Sequence, residues 1–193
     1  SSVLQARPGP RAAPMYAAPV QVLRFHARRS LERCKAPLWR AVWSDMQHRC
    51  GGAEKFPSYS EFLGSATDVY RYLQGELLSA ENTRHLEDLC TEELWPVVRA
   101  TGADYERVRR HFGLEACRIN WTSTEAFVCS LGPPEDQKAT DEGPTVIAGA
   151  RFFTVMHMAF APENVKHSVD DVIFKSSWSA KKGVAQWKIA HIA

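Results

Sequence analysis

Residues 1 to 31 contain no lysine, aspartate or glutamate; their charges come from Arg7, Arg11, Arg24, Arg28 and Arg29. An arginine-rich, acid-free start is the pattern left near a mitochondrial or plastid presequence, and the first residue is not Met, as in a processed protein. Pro8, Pro10, Pro14 and Pro19 exclude a continuous helix over the first twenty residues. The expectation is an extended arm that is ordered only along a partner.

Other absences narrow the chemistry. The five cysteines, at 34, 50, 90, 117 and 129, are odd in number and contain no CxxC pair. That argues against a disulfide framework or a zinc site and for a reducing compartment. No apolar run is long enough to span a bilayer. The net charge is only +2, which weakens a nucleic-acid reading while leaving room for a local basic patch. No glycine-rich phosphate loop is present, because Gly51-Gly52 closes a helix and does not open one. No His/Cys cluster has metal-ligand spacing, so no metal and no cofactor is expected.

What is present divides into helices followed by strands. Pro37 suits a helix start, with Leu38, Trp39, Val42, Trp43 and Met46 on one face and Gly51-Gly52 as its end. A long amphipathic helix follows, marked by Tyr59, Phe62, Leu63, Ala66, Val69, Tyr70, Leu73 and Leu77. Leu86, Leu89, Cys90, Leu94, Val97 and Val98 continue the 3.6-residue period, with Pro96 as a kink or restart. Asp104 is expected to cap a third, short helix ending at Gly113.

From Cys117 onward, alternation of period two predicts four long antiparallel strands. In the first, Ile119, Trp121, Phe127, Cys129 and Leu131 share one set of positions, which Ser123 and Glu125 interrupt, and Asn120, Thr122, Thr124 and Ser130 share the other. In the second, Val146, Ala148, Ala150, Phe152, Met156, Met158 and Phe160 oppose Ile147, Arg151, Phe153, Val155 and His157. Gly149 suggests a bulge or bend in it. Residues 172 to 179 and 185 to 192 are the third and fourth strands, joined by a hairpin in which Gly183 takes positive φ. Gly132 to Gly143 reads as a loop.

This order predicts an α+β fold: a curved, cone-shaped antiparallel sheet packed by preceding helices, with an extended N-terminal arm. Two units are expected, 1–52 (arm and amphipathic helix) and 53–193 (the cone-shaped domain). In the first, Arg24, Arg28, Arg29, Arg33, Lys35 and Arg40 interleave with Val22, Leu23, Phe25 and Leu31. Such a segment either lies on an anionic membrane or an acidic partner, or is a solvated charged face. The partner- or membrane-contact residues singled out are Arg24, Arg28, Arg29, Arg33, Lys35, Arg40, Val22 and Phe25.

The layout of helices then long strands is similar to the nuclear-transport-factor-two-like fold. Within it, the stretch FLGSATDVYRYLQGELLSAENTRHLEDLCTEELWPVV, with Leu86, Leu89, Cys90, Thr91 and Trp95, resembles the C-terminal domain of the mitochondrial import-motor tether, the TIM forty-four family. It also resembles the related membrane-facing protein of the mitochondrial large ribosomal subunit. The closing GVAQWKIAHI is similar to the family's last strand. The resemblance covers residues 58 to 193, contains no catalytic signature, and lacks the tether's long charged N-terminal half, which leaves chaperone docking without a basis.

Enzymes on such a fold place Asp, His or Tyr inside the cone. The candidates are His157, His191, Tyr70 and Tyr105, with Asp170 and Asp171 near a strand start as possible partners for a histidine. Both histidines are expected to be ordinary sheet residues, because fold alone does not imply activity. The resemblance implies a non-catalytic accessory subunit of a large mitochondrial inner-membrane assembly, a respiratory complex or the ATP synthase, peripheral on the matrix side. Its partners would be other subunits and anionic inner-membrane lipid. A mitoribosomal or import-linked tether is the alternative, disfavoured by the small net charge because rRNA binding recruits excess Lys and Arg. A cone-pocket enzyme comes last.

Overall fold

The computed structural model describes residues 19–79, 83–113, 117–135, 144–159, 161–179 and 181–193, with the side chains of 133–135 outside the description. Three α-helices, α1 (Pro19–Arg49), α2 (Tyr59–Ser79) and α3 (Trp95–His111), precede five strands. The strands are β1 (Ile119–Glu135), β2 (Thr145–Met158), β3 (Ala161–Ser179), β4 (Gly183–Val184) and β5 (Lys188–Ile192). They form one antiparallel sheet in the order β1-β2-β3-β4, with β5 also pairing β3. The architecture is α+β, with an open sheet covered by helices that precede it in the chain.

The alternation in β2 sets the layers. Val146, Ala148, Ala150 and Phe152 are buried in the main core with Phe62, Tyr70 and Leu73 of α2. Phe152 stacks on Tyr70, centroids 4.3 Å apart and planes 7° from parallel. The intervening residues point to the other side of the sheet, as period two requires. There Phe153 and Phe127 form a second, smaller cluster closed by Phe25 of α1.

α2 begins at a reciprocal cap. The Ser58 N–H donates to Glu61 Oε2 at 2.8 Å, and the Glu61 N–H donates to Ser58 Oγ at 3.2 Å. This satisfies two otherwise orphaned donors. The backbone hydrogen bond from Ser58 first, and its side-chain bond second, hold the Glu61 carboxyl below its ordinary value.

The expectation of an extended arm is overturned for residues 19–36, which join the helix expected after Pro37 in a single helix, Pro19–Arg49. Residues 1–18 lie outside the described residues. Pro37 does not start a helix; it lies inside α1 on the exposed side, where water can satisfy the carbonyl its missing N–H leaves unpaired. Phe25, expected to contact a partner or membrane, is buried against the sheet with Phe127 and Phe153. The boundary expected between 52 and 53 falls in the α1–α2 turn, and Trp43 of α1 stacks on Phe62 of α2 at 4.6 Å, within one core.

Five further expectations are corrected. Arg84–Leu89 is a 3-10 helix, and its closing residue Cys90 forms a parallel bridge to Ile189. α3 starts at Trp95 with Pro96 in its first turn, so Asp104 is interior and caps nothing. β3 begins at Ala161, well before 172, because Met156 to Gly149 of β2 pair it continuously from Lys166 to Ile173. The last strand starts at Lys188 instead of Ala185, and Gly183–Val184 of the expected hairpin form the short strand β4. β1 continues through Gly132 to Glu135, and residues 136–143 of the expected loop lie outside the described residues.

Bulges at Trp121/Ser123 and Val128/Ser130 break the alternation of β1. Trp121, Ala126 and Leu131 therefore join the α2 side, while Phe127 faces α1. Gly149 sits opposite the second bulge. A Cβ there would lie 2.3 Å from Ser130 Oγ, so only glycine allows the bulged strand to lean in. Gly183 has φ +79, as the hairpin requires, and a Cβ on it would meet the Lys55 carbonyl oxygen at 2.5 Å.

Candidate functional site

α1 is held on the sheet by a small aromatic patch and a lattice of charges. Phe25 meets Phe153 edge-on at 5.5 Å and His167 at 5.1 Å. Two turns further along, Glu32 is buried and its Oε1 accepts from Arg151 Nη1 at 2.8 Å and Lys35 Nζ at 3.2 Å. Arg151 is also bidentate to Asp171 on the neighbouring strand, at 2.6 and 2.8 Å. These bonds to Asp171, together with the charge of Glu32, push the guanidinium further above its ordinary value. Arg33 is bidentate to Glu125 of β1, both bonds at 2.8 Å, and Arg29 shares the same carboxylate. The Arg33 hydrogen bonds, then those of Arg29, hold the Glu125 carboxyl below its ordinary value against the effect of burial.

Most of the contact residues expected from sequence are thus engaged inside the chain. Phe25 is core, which corrects its assignment to a partner. Arg29, Arg33 and Lys35 are in ion pairs, and the Arg40 guanidinium lies 5.7 Å over the Tyr59 ring. Val22 is half-buried, while Arg24 and Arg28 are exposed and have no partner among the described residues. Sequence reasoning missed Glu32 and Glu125. The signal available was their position as isolated acids, one in an arginine-rich run and one in a strand.

The opposite side of α1 carries a second apolar row. Val20, Leu23, Leu31, Leu38 and Val42 are all exposed, Leu23 at 69% and Leu38 at 66%. A helix with apolar residues on two opposed faces can bury only one of them on its own sheet.

The side of the sheet that faces α2 holds an arrangement reminiscent of acid–base chemistry. Tyr70 Oη donates to Asp170 Oδ2 at 2.6 Å, and Ser168 Oγ donates to the same oxygen at 2.8 Å. Burial first, and the Asp170 charge second, push the Tyr70 hydroxyl far above its ordinary range, so it stays a donor. Tyr70 is fully buried under its Phe152 stack and presents no face to a substrate. The histidine–aspartate pairing considered from sequence is not formed: His157 Nε2 lies 3.2 Å from Asn120 Nδ2, His191 is exposed, and Asp170 and Asp171 are taken by Tyr70 and Arg151. Tyr105 is exposed on α3.

Two clefts, of about 250 and 220 Å³, share Trp187 as a wall. The larger brings Glu54, Lys55 and Lys182 to its rim; the smaller is lined by Phe62, Ala66, Val69 and Phe174. Neither contains a nucleophile paired with a base. Burial pushes the Cys90 and Cys129 thiols up to about 11, which keeps them protonated and unreactive. Among the described residues no group of three or more His, Cys, Asp or Glu could hold a metal ion, and no helix is long and apolar enough to cross a membrane.

No family model matches the chain, and no curated protein matches it. Among solved structures, the intermembrane-space region of the chloroplast protein ARC6 is similar at 12% identity and a TM-score of 0.42, over 69% of this chain and 93% of that one. A likeness of that extent assigns neither a family nor an activity.

Proposed function

We propose that this chain is a non-catalytic accessory subunit of a large mitochondrial inner-membrane assembly, on the matrix side, and that α1 is its contact element. The observation that carries the reading is the exposed apolar row on α1. It runs along a helix whose other face is already committed to the sheet, so a second partner is needed to cover it. The mitochondrial part rests on the arginine-rich, acid-free start and on the resemblance of residues 58 to 193 to the import-tether family. The clefts add no competing activity, since the buried Tyr70–Asp170 pair lies on neither of them.

The test is native electrophoresis of mildly solubilised mitochondria carrying the tagged chain. Co-migration with a respiratory complex or the ATP synthase is the expected result. Migration at the mass of the free chain overturns the subunit reading, and co-sedimentation with the large ribosomal subunit transfers the chain to that assembly.

A further inference from the structure

The outer face of α1 says more about what covers it. Val20, Leu23, Ala27, Leu31, Cys34, Leu38 and Val42 follow one another in steps of three and four residues, and every one is exposed. At about 1.5 Å per residue the row is about 33 Å long, and it stays on one side of the helix throughout. Rows of this spacing are what a second helix packs against.

Charge along the row is one-sided. Arg24 and Arg28, one turn apart, border its N-terminal half and have no partner among the described residues. The two acids of α1 are already used: Glu32 by Arg151 and Lys35, and Asp45 by Arg49 at 2.8 Å. Nothing on α1 is left to neutralise the two arginines. We propose that the outer row of α1 seats an amphipathic helix of another polypeptide, with an apolar seam against Leu23, Leu31 and Leu38 and carboxylates against Arg24 and Arg28. This rests on the accessory-subunit reading and names the chemistry of the partner.

Two other occupants fit less well. A second copy of α1 would bring the same arginines and no free acid. A lipid surface is served by a helix with Trp, Phe or Leu inserted and its cations on the polar face. Here the leucines meet that need but the cations do not: the face behind the row is buried on the sheet and Arg29 and Arg33 are committed to Glu125. Carboxylates also suit the planar guanidinium fork in a bidentate manner.

The experiment measures binding of the full-length chain to two synthetic helical peptides with the same leucine seam. One is flanked by glutamates, the other by lysines. The glutamate peptide should bind roughly tenfold tighter at low salt and lose much of that advantage at high salt. Leu31→Glu with Leu38→Glu should abolish binding of both peptides while the far-UV spectrum and melting temperature stay unchanged, because both positions are exposed. Arg24→Glu with Arg28→Glu should reverse the preference toward the lysine peptide. Equal binding of the two peptides, or no reversal in the charge-swapped variant, overturns the proposal. So does capture of the chain by phosphatidylcholine–cardiolipin vesicles in a manner that Leu31→Glu with Leu38→Glu removes. If the peptides fail to discriminate while native co-migration holds, the partner chemistry is wrong and the subunit reading stands. Discrimination by a chain that migrates alone overturns the subunit reading instead.

Discussion

Phe152 and Phe153 are consecutive residues of β2, almost fully buried, on opposite faces of one sheet. Phe152 lies in a continuous apolar core with Tyr70, Leu73 and Phe62 around it. Phe153 belongs to a cluster of three buried phenylalanines, and most of what holds α1 beside it is ionic. Apolar burial is indifferent to pH and strengthened by salting-out ions, whereas partly exposed ion pairs weaken with salt and with protonation. The two faces of the sheet should therefore fail under different conditions, and the α1 side should fail first.

The largest effect tests the main core. Phe152→Ala removes the Tyr70 stack and leaves a cavity, and should cost about 3–5 kcal/mol in urea unfolding of the whole domain. Phe153→Ala should instead raise hydrogen exchange across residues 19–36 before it reaches α2. If Phe153→Ala melts both helices together, the two faces are one cooperative unit and the contrast fails.

Next in size is the buried charge. Arg151→Ala leaves Glu32 in the interior with only Lys35 beside it, at a cost of about 3 kcal/mol. The loss should appear as detachment of the first half of α1, seen in exchange protection. A Glu32→Gln background should recover part of it, since the stranded carboxylate is then gone. No recovery would mean that Arg151 acts mainly through Asp171.

Acid provides a graded version of the same test. His167 is held below its ordinary value by burial first and by neighbouring His26 second. A depressed folded value means that the folded state resists protonation. The stability contribution is complete above about pH 6.5, the unfolded histidine value, and is lost as pH falls through the folded one. Glu125, depressed by Arg33 and Arg29, behaves alike one window lower: its contribution is complete above about pH 4.3 and lost below. Acidification should therefore loosen α1 in two stages while α2 amides remain protected. His167→Gln should remove the upper stage; a first stage that survives this change assigns it elsewhere.

The smallest effect is expected from Arg33→Ala. Its side chain is 54% exposed, and Glu125 retains Arg29, so the fall in melting temperature should be barely measurable and vanish in high salt. A larger fall would show that the Glu125 clamp, rather than Glu32, anchors the helix.

Much of the fold is legible in the chain because it depends on neighbours in sequence. The 3.6-residue period from Tyr59 to Leu77 places α2. Alternation from Val146 to Phe152 places both faces of β2. Gly183 marks a turn that needs positive φ. Residues 1–18, where the proline argument for an arm is strongest, lie outside the described residues.

What sequence could not supply depends on residues far apart. The second bulge of β1 moves Phe127 to the face opposite Leu131, and nothing within β1 specifies it, because it forms where Ser130 meets Gly149 of β2. The helix runs through Pro37 because the sheet behind it offers Phe127, Phe153, Val155 and Val169 to pack on, and that burial outweighs a local hydrogen-bond defect. Glu32 reads as a solvated charge and becomes a buried one only when Arg151 arrives from 119 residues away. Periodicity and turn chemistry are local and so can be read along the chain. Which of the two apolar faces of α1 is buried, and which stays exposed, was decided by the phenylalanines and charges that the sheet brought to meet it.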